Sequence, residues 1–334
     1  MSLDLPMIWA ALIAFAVLAY VVLDGFDLGV GILFPFMRGE AARDEAMNSV
    51  APVWDGNETW LVLGGGGLLA VFPLAYSIIM SALYAPIIVM LLALAFRGVA
   101  FEFRWKTKRG KFLWDWAFAF GSTMAGFAQG VALGALVQGI PVANRAYAGG
   151  WWDWLTPFTL LTGVALVIGY ALLGSTWLIW KAEGQVQRRA YDIAFWAAPA
   201  TLLLIGVVSL WTPFLGPIYA QRWFAWPQIL LVVPVPLAVL GMGFLLLKGL
   251  TARREVSPFL ASLSLFVLCF IGLGISFFPY MVPHSVTIRD AAAPDNSLGF
   301  LLIGASVLVP IILAYTVYAY WVFRGKVNSV GGYH

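Results

Sequence analysis

The sequence predicts an all-α, polytopic membrane protein whose nine transmembrane helices form one integral membrane domain over residues 1–334. The chain is 62% hydrophobic and only 10% charged, whereas a soluble domain carries about a quarter charged residues. One aqueous core cannot bury that much apolar surface, so lipid must cover part of it. The apolar segments are about 20 residues or longer, which is the length of a membrane helix and not the roughly 10 residues of a barrel strand.

The distribution of Lys and Arg predicts the orientation in the membrane. Of the 19 Lys and Arg residues, only Arg145, Arg222 and Arg289 lie in the even-numbered connections between apolar segments. All the others lie in the odd-numbered connections or in the C-terminal tail. Because basic residues near helix ends stay on the cytoplasmic side, we expect a periplasmic N-terminus and a cytoplasmic C-terminus. The basic excess therefore reports topology, and no basic groove with interleaved aromatic residues points to nucleic acid.

The first half of the chain holds four of the nine segments. They are Leu5–Phe36, Val50–Phe72, Tyr76–Arg97 and Phe112–Leu136. The first is longer than a straight crossing of a hydrocarbon core ~30 Å thick requires, so it must tilt, bend or extend into the cytoplasm. The second begins with polar residues and then contains Gly64–Gly67, a weak point in a helix. The third leads at Arg97 into the most basic loop of the sequence.

Small residues recur every four positions in the fourth segment. Ser122, Gly126, Gly130 and Gly134 therefore share one face of the predicted helix. Rows of this kind let membrane helices approach each other closely. We expect Gly126, Gly130 and Gly134 to pack against a neighbouring helix.

The second half of the chain holds the other five segments. They are Pro157–Trp180, Tyr191–Trp211, Pro227–Leu247, Ser257–Phe278 and Leu298–Phe323. Tryptophans cluster at segment ends, as in the aromatic belts of membrane interfaces. Trp211 and Trp226 lie at predicted outer ends, and Trp180 and Trp321 at predicted inner ends. No connection is long enough to hold a separate soluble domain.

Acidic residues inside membrane segments are costly and mark candidate functional sites. Asp24 and Asp27 are three residues apart in LDGFDLG, and Asp55 and Glu58 have the same spacing in WDGNETW, with Asn57 between them. Residues at this spacing share a helical face. The connection between the first two segments is short, so we expect the four carboxyl groups to converge near the cytoplasmic side. Convergent carboxyl groups disfavour one another's ionisation, and groups that stay partly protonated can relay protons.

A structural role is the alternative interpretation of these acids, which would then cap helix starts or pair with Arg38 or Arg43. Two further acids fit structural roles better. Glu102 lies among basic residues, where we expect a loop ion pair. Asp115 lies at the start of the fourth segment, where a carboxylate favours the positive end of the helix dipole.

Ligands for a metal or a haem are scarce in this sequence. There are two histidines, His284 in an outer loop and His334 as the last residue, and the single cysteine, Cys269, lies within an apolar segment. Haem iron is usually held by His, Met or Cys, but the nine methionines are scattered. We therefore expect this chain to ligate no haem and no other metal. A nucleophile–His–acid triad and a phosphate-binding glycine fingerprint are also missing.

Several sequence blocks resemble subunit II of the cytochrome bd-type quinol oxidases. They include LDGFDLGVGILFPF, NSVAPVWDGNETWLVLGGGGLLAVFPLAYS, FRGVAFEFR, WDWAFAFGS, QGVALGALVQGI, FFPYMVPHSVTIRDAA and VLVPIILAYTVY. The resemblance covers nearly the whole chain. The motifs WDGNETWLVLGG and FEFRWK are more similar to those of the cyanide-insensitive branch of the family.

The resemblance implies a heterodimer with a haem-bearing subunit I in the bacterial cytoplasmic membrane. That partner would carry two b haems and one d haem, or a b haem in its place, oxidise quinol near the outer face and reduce oxygen to water. Subunit II would have two four-helix bundles plus a peripheral helix and would ligate no haem. The resemblance leaves open whether the complex also contains a structural quinone or a small single-helix accessory subunit. Membrane lipids are expected to contact the chain.

The resemblance also implies roles for particular residues. The family places acids of subunit II on a route that brings cytoplasmic protons toward the oxygen-reducing haem. Matched motif to motif, these acids are Asp24, Asp27 and Asp55, with Trp54 beside the last. Glu58 departs from family members that have Gln at this position. Two other classes of function stay open: a purely structural assembly subunit, and a stand-alone membrane transporter or proton channel.

Overall fold

The computed structural model describes residues 4–327, and almost all of its regular structure is helical. The first half contains α1 (Leu5–Leu33), a 3₁₀ turn (Phe34–Phe36), α2 (Glu40–Asn48), α3 (Trp54–Val71), α4 (Pro73–Ala82), α5 (Tyr84–Lys106) and α6 (Lys111–Gln138). The second half contains α7 (Pro157–Lys181), α8 (Gly184–Trp211), a 3₁₀ turn (Thr212–Phe214), α9 (Pro217–Phe224), α10 (Ile229–Val232), α11 (Pro234–Thr251), α12 (Ser257–Phe277), α13 (Ile288–Ala291) and α14 (Asp295–Val322). Two small antiparallel hairpins lie in the connections, β1 (Val142–Ala143) with β2 (Ala146–Tyr147) and β3 (Tyr280–Val282) with β4 (Val286–Thr287).

The helices confirm an all-α polytopic membrane protein. Over residues 4–327, eight helices are long and apolar enough to cross a membrane, and a ninth crossing results if α3 and α4 count as one bent span. The chain bends by 119° between these two helices. α3 begins with the polar residues WDGNET and contains four consecutive glycines, and it counts as a crossing only together with α4.

The structure corrects the inner boundary of the third predicted segment. The sequence analysis ended that segment at Arg97 and assigned the residue to a loop, but α5 continues through Arg97 to Lys106. The positive charge of Arg97 suggests the cytoplasmic end of a membrane helix. Here the charge lies inside the helix, because carboxylates of neighbouring helices balance it.

α1 lies at the centre of the helix packing. It contacts α3, α6, α7, α12 and α14, while α5 packs on α6, α6 on α7 and α7 on α8. α11 and α12 pack on each other and against α8 and α7. The membrane-spanning stretch of α14 is only 6% buried, so this helix lies at the periphery. A division of the other helices into two four-helix bundles stays a prediction.

The glycines of α6 lie where α6 and α7 approach each other most closely. A Cβ atom built on Gly130 would lie 2.5 Å from the backbone oxygen of Thr162, and one on Gly134 would lie 2.9 Å from the Cα atom of Thr159. A Cβ atom on Gly126 would meet the side chain of Tyr170 at 3.1 Å. The first two contacts involve backbone, which cannot move aside as a side chain can, so α6 and α7 need glycine there.

We expect Gly130→Ala to force α6 and α7 apart and to destabilise the protein by about 1–3 kcal/mol, the usual cost of overpacking. Gly241→Ala is the matched control, because a Cβ atom at this position in α11 meets nothing within 4 Å. Thermal unfolding of the detergent-purified protein measures both. Equal melting temperatures for the two variants would contradict the close approach.

Candidate functional site

Two carboxyl groups of α1 are fully buried at membrane depth. Asp24 and Asp27 have no solvent exposure. Asp24 lies about 14 Å along the helix from Leu33, the predicted cytoplasmic end of α1. Because ionised groups inside the membrane are costly unless they are paired, the partners of these carboxyl groups decide what the site can do.

The main partner is Arg97 of α5, which is also fully buried. Its Nη1 atom donates to Asp24 Oδ1 at 2.8 Å and to Glu58 Oε1 at 2.6 Å. One guanidinium group therefore joins α1, α3 and α5. Gly121 of α6 lets α5 come this close, since a Cβ atom there would lie 2.7 Å from the backbone oxygen of Ala93.

Asp27 is held by an amide instead of a cation. Asn57 Nδ2 donates to Asp27 Oδ2 at 2.6 Å, and the hydroxyl group of Tyr320 donates to Asn57 Oδ1 at 3.1 Å. These bonds join α1, α3 and α14. Asn57 was predicted as a supporting residue, and the structure places it between Asp27 and the peripheral helix.

A second polar chain lies one helical turn from Asp24, toward the predicted outer side. The amide of Gln129 donates to the hydroxyl oxygen of Tyr20 at 2.6 Å, and the hydroxyl of Tyr170 donates to Gln129 Oε1 at 2.8 Å. Tyr20 and Asp24 are four residues apart on α1 and so share a face. Polar groups therefore continue from the carboxyl cluster into the core between α1, α6 and α7.

The cluster keeps unused hydrogen-bonding atoms. Among residues 4–327, Asp24 Oδ2, Asp27 Oδ1 and the Nε and Nη2 atoms of Arg97 are buried and have no hydrogen-bond partner in the protein. Buried polar atoms of this kind usually bind protein groups or ordered water. The two carboxylate oxygens can therefore accept further hydrogen bonds and the two guanidinium nitrogens can donate them.

Asp55 does not join the other three acids. Its residue is exposed, whereas the side chain of Glu58 is 26% exposed and reaches Arg97. The side chains of two helical residues that are three positions apart differ in direction by about 60°. This difference is enough for Glu58 to point inward while Asp55 points outward. The expected convergence thus occurs for Asp24, Asp27 and Glu58 but not for Asp55.

Trp54 packs behind the cluster. Its ring stacks on Phe101 with centroids 5.0 Å apart, and the guanidinium carbon of Arg97 lies 5.8 Å from the centroid of the Trp54 ring. A cation near an aromatic face is attracted by the ring quadrupole. The ring of Trp54 therefore supports Arg97.

The remaining acids near this end form ion pairs. Arg104 is buried and binds Asp44 and Asp115, each at 2.6 Å, while Arg43 binds Asp115 at 2.8 Å. Asp115 is therefore held by two arginines in addition to lying near the helix start. Glu102 pairs with Lys106 at 3.9 Å, as expected, but within α5 and not in a loop.

Arg97 is the member of the buried cluster that is absent from the residues predicted from the sequence. The signal was present: the residues that follow it, GVAF, continue an apolar helical pattern. Arg104 follows Arg97 by seven residues, two helical turns, which places both arginines on one face. An arginine flanked by apolar helix on both sides indicates a buried cation.

Over residues 4–327, no group of three or more His, Cys, Asp or Glu side chains is placed to hold a metal ion. His284 lies in the turn between β3 and β4, with its ring centroid 5.0 Å from that of Tyr219. Burial, aided by nearby Arg222, lowers the pKa of His284. His334 lies outside the described residues. The structure therefore offers no histidine on a membrane helix as a haem ligand within that range.

Comparison with known proteins agrees with this arrangement. The model of the family described as cytochrome bd terminal oxidase subunit II matches residues 5–323. The chain belongs to this family. Subunit 2 of the cytochrome bd-I ubiquinol oxidase of Escherichia coli (strain K12) is 32% identical, over 97% of this chain and 96% of that one. Subunit 2 of the cytochrome bd ubiquinol oxidase of Bacillus subtilis (strain 168) is 29% identical, over 96% of each chain.

A solved structure shows the same fold. The bd oxidase from Geobacillus thermodenitrificans aligns with a TM-score of 0.74 at 18% identity, over 97% of this chain and 100% of that one. Membership of the cytochrome bd subunit II family makes this chain a subunit of a terminal oxidase and a multi-pass protein of the bacterial inner membrane. It also implies a subunit I partner that carries the haems. The resemblance to subunit II of the cytochrome bd-type oxidases is confirmed, and the assignment to the cyanide-insensitive branch stays a prediction.

We expect Arg97→Met to destabilise the assembled oxidase by about 3–5 kcal/mol, because it leaves buried carboxyl groups without their counter-charge. The double variant Asp24→Asn with Arg97→Met should recover part of this loss, since contacting residues are not additive. Thermal unfolding of the purified complex measures both variants.

Lys108→Met is the control for this prediction. Lys108 is exposed, and its substitution by Met removes one positive charge, as Arg97→Met does. A melting temperature of Arg97→Met equal to that of the control would show that the buried ion pairs do not stabilise the complex.

Proposed function

We propose that this chain is the non-haem subunit of a quinol:oxygen oxidoreductase, and that it supplies protons for the reduction of oxygen to water. The haem-bearing subunit I performs the redox chemistry with two b haems and a d haem, or a b haem in its place. Quinol oxidation releases protons on the outer side, and oxygen reduction consumes protons from the cytoplasm. A carboxylate route through this chain would separate charge without a pump.

The observation that carries the proposal is the buried cluster of Asp24, Asp27, Glu58 and Arg97. Asp24 and Glu58 share the guanidinium group of Arg97, and the carboxyl group of Asp27 beside them is held by the amide of Asn57 and has no cation of its own. If all three were ionised, the cluster would hold excess negative charge in a region of low dielectric, where it is costly. Binding a proton removes that excess and releasing one restores it, which is the property that a relay site needs.

The positions of these groups fit a route from the cytoplasm. Asp55 and Glu58 lie within the first turn and a half of α3, and Asp24 and Asp27 lie deeper along α1. Protons would enter beside Asp55 and Glu58, pass Asp27 and reach the Asp24–Arg97 pair, because Asp24 lies about 4.5 Å farther than Asp27 from the predicted cytoplasmic end of α1. The unpartnered carboxylate oxygens accept hydrogen bonds along this route.

The exposed stripe of α3 supports an interface with subunit I. We define this stripe as Asp55, Thr59, Val62, Gly66 and Leu69, all of which are exposed. Their spacing of three and four residues places them on one helix face. A carboxylate that faces acyl chains is costly, so a protein partner is the fitting neighbour for the face that carries Asp55. Covering this stripe is how the chain would stabilise subunit I.

We expect Asp27→Asn to slow oxygen consumption by about 100-fold, the low end of the contribution of a positioned proton-transfer group. An asparagine side chain keeps the shape and can still accept the hydrogen bond of Asn57, but it carries no exchangeable acid proton. Haem content and melting temperature should therefore stay unchanged. Oxygen uptake with quinol, measured per haem, is the assay.

This assay separates the proposed route from its alternatives. Unchanged turnover in Asp27→Asn, and in Asp24→Asn and Glu58→Gln once these complexes have formed, would favour a subunit that only assists assembly. Proton conduction by this chain alone in liposomes would favour a transporter or channel.

We expect Asp55→Asn to slow turnover while keeping the haem content of the assembled complex, since Asp55 would then collect protons at the entry of the route. Because the side chain makes no hydrogen bond to the rest of the chain in residues 4–327, its replacement should not disturb the fold. Unchanged turnover would remove Asp55 from the route, and loss of haem would assign it to the interface instead.

We expect Val62→Trp to reduce the haem that co-purifies with this chain, because a large ring on the exposed stripe would separate the subunits. Leu203→Trp is the matched control. Leu203 of α8 is 67% exposed and Val62 is 72% exposed, so neither change overpacks this chain. Absorption spectra per chain measure the effect, and equal haem content in the two variants would place subunit I elsewhere.

A further inference from the structure

A groove outside the carboxyl cluster lies where α11 and α12 meet at their predicted cytoplasmic ends. It has a volume of about 260 Å³. Its polar end is formed by Lys248, Arg254 and Ser257, and its walls include Leu245 and Leu260. No acidic residue lines it. The groove is therefore cationic at the membrane boundary and apolar toward the membrane interior.

The turn between the two helices builds the cationic end. Arg253 adopts a left-handed backbone with φ of 52°, and the backbone nitrogen of Arg254 donates to the oxygen of Gly249 at 2.9 Å. This folds Arg254 back over the end of α11, beside Lys248. A Cβ atom on Gly249 would lie 2.8 Å from Ser257 Oγ, so the glycine lets the start of α12 approach.

The charges at this end have no internal partner. Over residues 4–327, neither Lys248 nor Arg254 forms an ion pair or a side-chain hydrogen bond. The Oγ atom of Ser257 is buried and also has no partner. Two cations and one free hydroxyl group therefore point to a ligand that accepts hydrogen bonds and carries negative charge.

The other charged residues of the turn, Arg253 and Glu255, already interact with other groups of the chain. Glu255 accepts from Lys326 and from Gln187, each at 2.9 Å, and the Lys326 bond holds the pKa of Glu255 below its usual range. The guanidinium group of Arg253 lies 4.7 Å from the centroid of the Tyr191 ring. Neither residue neutralises Lys248 or Arg254.

The walls identify the rest of the ligand. Leu245 is 48% exposed and Leu260 is 54% exposed, on helices that cross the membrane. A soluble anion would fill only the cationic end and leave these walls to other molecules. A phospholipid matches both parts, because its phosphate lies at the depth of the headgroups and its acyl chains extend along the helices.

We propose that this groove binds an anionic phospholipid. Lys248 and Arg254 contact the phosphate, Ser257 donates a hydrogen bond to it, and the acyl chains follow Leu245 and Leu260. Basic pockets between membrane helices on the cytoplasmic side are suited to anionic headgroups. The lipid would bridge the ends of α11 and α12.

The test uses the assembled oxidase after removal of its lipids, titrated with phosphatidylglycerol, with phosphatidylcholine or with inorganic phosphate and followed by native mass spectrometry. We expect phosphatidylglycerol to bind, and Lys248→Gln with Arg254→Gln to weaken its tightest site by about 30-fold. Lys108→Gln with Arg109→Gln is the matched control. It removes the same charge from exposed residues that do not line the groove, and it should leave that site unchanged.

Ser257→Ala is a second variant that changes no charge, and it should weaken phosphatidylglycerol binding to a smaller extent. Equal affinity in the double glutamine variant and its control would overturn the proposal. So would phosphatidylcholine binding that equals phosphatidylglycerol binding, because the headgroup charge would then be irrelevant. Inorganic phosphate that binds as tightly as the lipid would assign the cationic end to a soluble anion.

Discussion

The pairing of one buried arginine with carboxyl groups of two other helices is the constraint on which the site depends. Arg97 Nη1 reaches both Asp24 and Glu58, so α1, α3 and α5 cannot shift relative to one another without exposing charge to an apolar surrounding. Moving such groups out of water is expensive, and only good geometry compensates for it. The arrangement is therefore held by electrostatics as much as by packing.

A second arginine cluster on the same helix, α5, differs from the first in its balance of charge. Arg104 binds Asp44 and Asp115, and Arg43 also binds Asp115. Two cations there face two carboxylates, and Lys111 lies 3.5 Å from Asp44 as well. Each carboxylate of that cluster has at least one cation partner, which favours a structural role. The cluster at Arg97 has more carboxyl groups than cations, which favours exchange of protons.

Sequence reasoning reached the fold and most of the site, and its failures have physical causes. Apolar segment length determines membrane helices because backbone groups in lipid need internal partners, and that rule holds for α1 as for α14. Charge patterning fails for Arg97 because a cation can be buried once other helices supply its counter-charge. The orientation of Asp55 depends on the rotation of α3, which spacing alone leaves undetermined to within about 60°.

The rotation of α3 determines which of its acids is buried and which is exposed. α3 begins with polar residues and presents Asp55 and Thr59 on its exposed side. Its inward face is fixed by Glu58 on Arg97 and by Asn57 on Asp27, so turning the helix to hide Asp55 would break both contacts. The same rotation that assembles the buried cluster thus leaves Asp55 exposed at the start of α3. As proposed above, protons would enter beside Asp55, so the contacts that assemble the buried cluster would also hold the entry of the route at the exposed surface of this chain.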